Sequence, residues 1–122
     1  MKNMITWFEI AVDDFDRAKT FYESVFQFKM ETNVILGYKM GYFSADEGKV
    51  SGAIVQGDGY KPSVHGAVVY LNCQPDLSLQ LSRVESAGGQ ILVPKTKISD
   101  DLGYFAFVID SEGNKVAFHS MA

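Results

Sequence analysis

A small set of side chains in this sequence is spaced for chemistry. Trp7 and Glu9 lie two apart in an apolar run, so on an extended strand both point to one face. An indole beside a carboxylate suits a flat or apolar molecule, with the carboxylate as general base or as acceptor for a cationic group. Ala117 and His119 share a face by the same parity, which makes His119 a candidate general acid/base or hydrogen-bond partner. Val68, Tyr70 and Asn72 share another, from which Asn72 could orient an amide or carbonyl. Glu9 and His119 would form an acid/base pair only if both reached one substrate atom.

Each candidate has a plainer alternative. Glu9 can sit at the wet end of its strand or pair with Lys or Arg. His119 can be a half-exposed residue near the C-terminus, and Asn72 a strand-end cap. Trp7, Tyr38, Tyr42, Tyr70 and Tyr104 can serve core or interface packing. His65 precedes its strand and reads as a loop residue. With His119 and Glu9 it would complete a two-histidine, one-carboxylate iron set only through a large register error. Cys73 falls on the face opposite Asn72 and reads as a buried, inert thiol. Gly57-Asp58-Gly59 and Gly88-Gly89 lack the strand, loop and Lys-Ser/Thr context of a phosphate loop.

The elements that position these residues follow from periodicity. Residues 5–12 read as a strand. Asp13-Asp14 stops it and offers capping oxygens. Phe15, Ala18, Phe21, Tyr22, Val25 and Phe26 recur at helical spacing, which predicts a helix over 15–26. Strands follow at 28–33, 37–43 and 50–55. A linker at 58–64 leads to the same order again: a strand at 67–73, a helix from Pro75-Asp76 to Ala87 ended by Gly88-Gly89, and strands at 90–93, 102–109 and 115–120. Phe43-Ser44-Ala45-Asp46-Glu47-Gly48 resembles Val108-Ile109-Asp110-Ser111-Glu112-Gly113, and Lys49-Val50 resembles Lys115-Val116. A period near half the chain is a two-unit duplication. The expected fold is α+β, a single domain over 1–122 built of two βαβββ modules, 1–57 and 65–122, forming a cup-shaped mixed sheet.

The 122 residues carry 11 Lys+Arg against 15 Asp+Glu, a net charge of −4, without the basic excess typical of nucleic-acid binders. A single cysteine excludes an internal disulfide and suits a reducing compartment. No apolar run reaches the ~20 residues a membrane helix needs, and the N-terminus leads into patterned sequence without a signal-peptide core. The expectation is a cytoplasmic protein without nucleic-acid or membrane partners.

The helix opening Val12-Asp13-Asp14-Phe15-Asp16-Arg17-Ala18-Lys19-Thr20-Phe21-Tyr22 resembles the first-module signature of the vicinal oxygen chelate superfamily, which contains glyoxalase I, bleomycin-resistance proteins and extradiol dioxygenases. Ser86-Ala87-Gly88-Gly89 and the run from Ile109 to Val116 resemble its later motifs, so the likeness covers nearly the whole chain. The resemblance implies a cup between paired modules, a homodimer, and in metal-dependent members one ligand on each of four strands. Matching places those ligands at Trp7, at Ser51 or Gly52, at Val68 and at Ala117. None of these binds a divalent ion well. The resemblance therefore implies a branch without metal or other cofactor, binding a small organic molecule in the cup through Trp7, Glu9, Tyr70, Asn72 and His119. A glyoxalase-type metal lyase or dioxygenase, or a metal-free enzyme using Glu9 and His119, are its alternatives.

Overall fold

The computed structural model describes residues 3–122. Its elements are β1 (Trp7–Ala11), α1 (Phe15–Phe26), β2 (Glu31–Ile35), β3 (Tyr38–Tyr42), β4 (Ser51–Gln56), β5 (Tyr70–Asn72), α2 (Ser78–Val84), β6 (Gln90–Ser99), β7 (Gly103–Ile109) and β8 (Lys115–Ser120). They form two four-stranded mixed sheets, ordered β1-β4-β3-β2 and β5-β8-β7-β6. In each, the first and last strands pair in parallel and the rest antiparallel. This is the expected α+β pair of βαβββ modules. The two sheets are separate, with β1 and β5 each at a sheet edge.

Local chemistry sets the bounds. Asp14, in extended conformation, caps α1 by accepting the Arg17 N–H at 3.1 Å, and Gln27 closes the helix in the left-handed region. β2 begins three residues later than periodicity places it, because Phe28 packs on Phe43 and the Met30 N–H is taken by Glu23 Oε2 at 2.8 Å. Leu36 and Gly37, both at positive φ, make the two-residue turn into β3. α2 is shorter than expected. The Leu77 N–H is bonded to Ser120 Oγ and the Ser78 N–H to Asp76, so the chain from Pro75 to Leu77 is a turn rather than helix. β6 runs six residues past the expected end at Val93. It passes through Pro94 with register shifts, which an edge strand tolerates since Pro lacks only an outward donor.

Side-chain parity divides each sheet. Ile10, Ile54, Leu71, Cys73, Ala106, Val108, Val116 and Phe118 join Phe21, Tyr22 and Val25 of α1 and Leu77 and Val84 in one core shared by both modules. α1 serves both halves: Phe26 meets Phe118 edge-on at 5.5 Å, and the Tyr22 hydroxyl donates to Asp110 Oδ2 at 2.6 Å. Beside that contact, Glu112 Oε1 accepts the Asp13 and Asp14 N–H groups at 3.1 and 2.8 Å, and Arg17 Nε donates to Oε2 at 2.7 Å. Asn114 Nδ2 donates to the Ala11 carbonyl at 2.7 Å and to Asp110 Oδ2 at 3.0 Å. The turn between β7 and β8 thus holds the start of α1 and the end of β1.

The duplication is legible in hydrogen bonds. The Val12 N–H donates to Val55 O and the Cys73 N–H to His119 O, both one residue past the registered pairs Ala11↔Val55 and Asn72↔His119. By the same register Glu9 corresponds to Tyr70, Ala53 to Ala117 and Trp7 to Val68. The sequence match of Lys49-Val50 with Lys115-Val116 runs two residues out of step. Ser51 is the true counterpart of Lys115, because the turn before β4 is longer than the turn before β8.

Candidate functional site

The faces turned away from the core carry the sequence candidates. On β1, alternation sends Phe8 and Ile10 inward and Trp7 and Glu9 outward, with Trp7 6.2 Å from Tyr42. On β5, Leu71 goes inward and Tyr70 and Asn72 outward, with Tyr70 edge-on to Phe107 at 6.3 Å. Between the two strand edges lies a crevice of about 1040 Å³, comparable to the largest small-molecule sites. Its rim is Trp7, Glu9, Tyr70 and Asn72, and its depth is walled by Phe26, Phe28 and Phe43, half-buried against the core.

Four of the five expected ligand-binding residues therefore meet at one opening, while His119 does not line it. His119 shares the outward face with Asn72 but turns its ring to the Leu102 carbonyl, 2.6 Å from Nε2. A carbonyl only accepts, so Nε2 carries the proton. The acid/base pairing of Glu9 with His119 is thus not assembled in one cavity. His65 is an exposed loop residue whose N–H is held by Ser63 Oγ at 2.9 Å. Among the described residues no three His, Cys, Asp or Glu side chains converge, so His65, His119 and Glu9 do not come together.

Tyr60 was not legible as a site residue. It sits in the connecting segment, outside any periodic element, and no spacing singles it out. Its hydroxyl donates to Glu9 Oε1, and its ring packs edge-on to Tyr38 at 5.6 Å. That hydrogen bond to Glu9, with added burial, raises the Tyr60 phenol above its ordinary value, so it remains a donor at neutral pH. On the other side of this contact a smaller, polar depression of about 420 Å³ is lined by Asp13, Tyr38, Gln56, Asp58 and Tyr60.

The four positions at which the fold family carries metal ligands do not fit a divalent ion. Trp7 and Ser51 are registered opposite each other, and the Ser51 hydroxyl is spent on the Phe43 carbonyl at 2.8 Å. The alternative position, Gly52, lies on the wrong face: a Cβ there would meet Phe8 at 2.3 Å. Val68 and Ala117 offer no donor atom. Cys73 is buried on the core side, and burial pushes its thiol up to about 12. Such a thiol stays protonated and neither attacks nor ligates.

A family model described as the glyoxalase/bleomycin resistance protein/dioxygenase superfamily matches residues 4–118. No curated protein matches the chain. Among solved structures, a glyoxalase/bleomycin resistance protein from Albidiferax ferrireducens T118 superposes with a TM-score of 0.72 at 17% identity, covering 95% of this chain and 97% of that one. TnmS3, an antibiotic binding protein from Streptomyces sp. CB03234, gives 0.72 at 18% identity over 98% and 97%. The E144Q mutant of glyoxalase I from Zea mays gives 0.73 at 17% identity over 97% of this chain but 45% of the maize chain, so the chain spans less than half of that enzyme. At these identities the likeness is one of fold.

Proposed function

The chain belongs to the glyoxalase/bleomycin resistance protein/dioxygenase superfamily, and from that premise we propose that it binds a small organic molecule in the crevice between β1 and β5, without a metal ion. The observation that carries this reading is the lining itself: an aromatic interior of Phe26, Phe28 and Phe43 beneath a rim of Trp7, Glu9, Tyr70 and Asn72. Apolar walls with few polar groups are what a small-molecule site requires. Trp7 and Tyr70 act as stacking walls, Asn72 as an orienting amide, and Glu9 as acceptor. A metal-dependent lyase or dioxygenase would need donors that Trp7, Ser51, Val68 and Ala117 do not supply. TnmS3, an antibiotic binding protein of the same fold, supports a binding role.

Metal-stripped protein should show no saturable thermal stabilisation by micromolar Zn²⁺, Ni²⁺, Mn²⁺ or Fe²⁺. A flat apolar compound should stabilise it saturably and quench Trp7, the one tryptophan in the chain. The Trp7→Ala variant should lose the thermal shift. Stoichiometric metal uptake with micromolar affinity would overturn the reading.

A homodimer and a cytoplasmic setting are part of the same proposal. The β2–β3 hairpin presents Val34, Ile35 and Leu36, the last 91% exposed, as apolar surface for a second copy to cover. Light scattering should give a dimer, and Leu36→Lys a monomer. A lone, buried cysteine suits a reducing compartment, and the net charge of −4 disfavours a nucleic-acid partner. No described helix is long and apolar enough to cross a membrane.

A further inference from the structure

Among the described residues, Glu9 is the only acidic or basic side chain lining the crevice; no Lys, Arg or His faces it. Its Oε1 accepts the Tyr60 hydroxyl, which fixes the carboxylate at the rim, and among the described residues Oε2 takes no hydrogen bond. Beside it stands Trp7, whose ring face attracts cations. The smaller depression beyond the Glu9–Tyr60 contact repeats this character, with Asp13, Asp58 and two tyrosines and no basic side chain.

Resting on the binding role proposed above, we infer that the ligand is an organic cation with a flat apolar body. The body packs on Phe26, Phe28, Phe43 and Trp7, and an ammonium or amidinium group sits on Glu9 Oε2. Tyr60 is a positioning residue that holds the carboxylate toward it. An anion would meet a negative rim with no basic side chain among the described residues to pair it. A neutral ligand would desolvate Glu9 without an equivalent donor. The acidic depression beyond Tyr60 directs a longer cationic chain away from the aromatic interior.

The test uses three probes that share one ring: 2-naphthylmethylamine, 2-naphthylmethanol and 2-naphthoate, titrated into ¹⁵N-labelled full chain. Trp7 contributes a single indole N–H resonance, which reads both affinity and place. The amine should shift it saturably and bind about tenfold or more tighter than the carboxylate, and several-fold tighter than the alcohol. Glu9→Gln should remove the amine's advantage over the alcohol. Tyr60→Phe should reduce that advantage in part. Salt serves as a check that needs no variant: from about 10 mM to about 0.2 M it should weaken the amine and spare the alcohol.

If the alcohol or carboxylate binds as well as the amine, or Glu9→Gln keeps the preference, the cation inference falls and the crevice stands. If no probe moves the Trp7 resonance, both fall.

Discussion

Cys73 and Glu112 are both largely buried and meet opposite fates. Burial raises the Cys73 thiol to about 12, so alkylation of the native protein at pH 8 should be slow and should become rapid only in denaturant. Burial also pushes Glu112 up. The Arg17 guanidinium, the Asp14 N–H and the Ser111 hydroxyl outweigh it and hold the carboxyl below its ordinary value. A lowered carboxylate contributes stability that is fully present above its unfolded value near 4.5 and is lost as pH falls through the folded one. Glu112→Gln should cost about 1–3 kcal/mol at pH 7 by urea unfolding, and the gap to the native chain should narrow as the pH falls below the usual carboxylate range. Asp76 has the same sign: the Ser78 N–H and Lys95 lower it to about 2, so its share is lost between the usual carboxylate range and that value. At this scale the sequence was informative wherever period-two alternation applied. Trp7, Glu9, Tyr70 and Asn72 all reach the same crevice because each lies on a strand edge whose inward neighbours are apolar. Tyr60 was hidden because loop residues carry no period, and His119 was misplaced with respect to the crevice because parity fixes a face but not the rotamer that turns its ring to Leu102.

Among the elements, α1 was fully legible, since its cap and its apolar stripe agree. Asp14→Ala should lower stability by about 1 kcal/mol in thermal or urea unfolding by removing that cap. The β1–β4 pair depends on a different residue. A Cβ at Gly52 would lie 2.3 Å from the Phe8 carbonyl oxygen and 2.6 Å from its ring, so the strands must part to admit it. Gly52→Ala should cost about 1–3 kcal/mol, and the distorted ladder should lose amide-exchange protection in β1 first. The elements that sequence misjudged are those bounded by side-chain-to-backbone bonds or by edge position. Glu23 on the Met30 N–H delays β2, Ser120 on the Leu77 N–H shortens α2, and the open edge of β6 lets it continue past Pro94. The Ser120 bond joins positions 43 apart in the chain, and the Glu23 bond reaches past the end of α1, so neither shows in a period-two or helical pattern.

At the scale of the molecule, the two modules share one core, so neither half owns a complete one. Unfolding should follow a single cooperative transition by calorimetry, and residues 1–57 alone should not give a folded spectrum. Tyr22→Phe removes a buried hydroxyl bonded across the modules. It should cost about 1–2 kcal/mol and lower the midpoint of that one transition rather than split it. Duplication was visible in the sequence because strand and turn order repeat. The way the halves meet was not, since it rests on α1 packing against both sheets and on the Asp110–Asn114 turn gripping module one.

The repeat has a further consequence. In the hydrogen-bond register Glu9 answers to Tyr70, Ala11 to Asn72 and Val55 to His119. Equivalent places in the two modules therefore present a carboxylate on one bank of the crevice and a phenol on the other. A guest rotated end for end would exchange those two partners, so head and tail are not equivalent. The duplicated halves supply a symmetric frame, and their divergence gives that frame a direction.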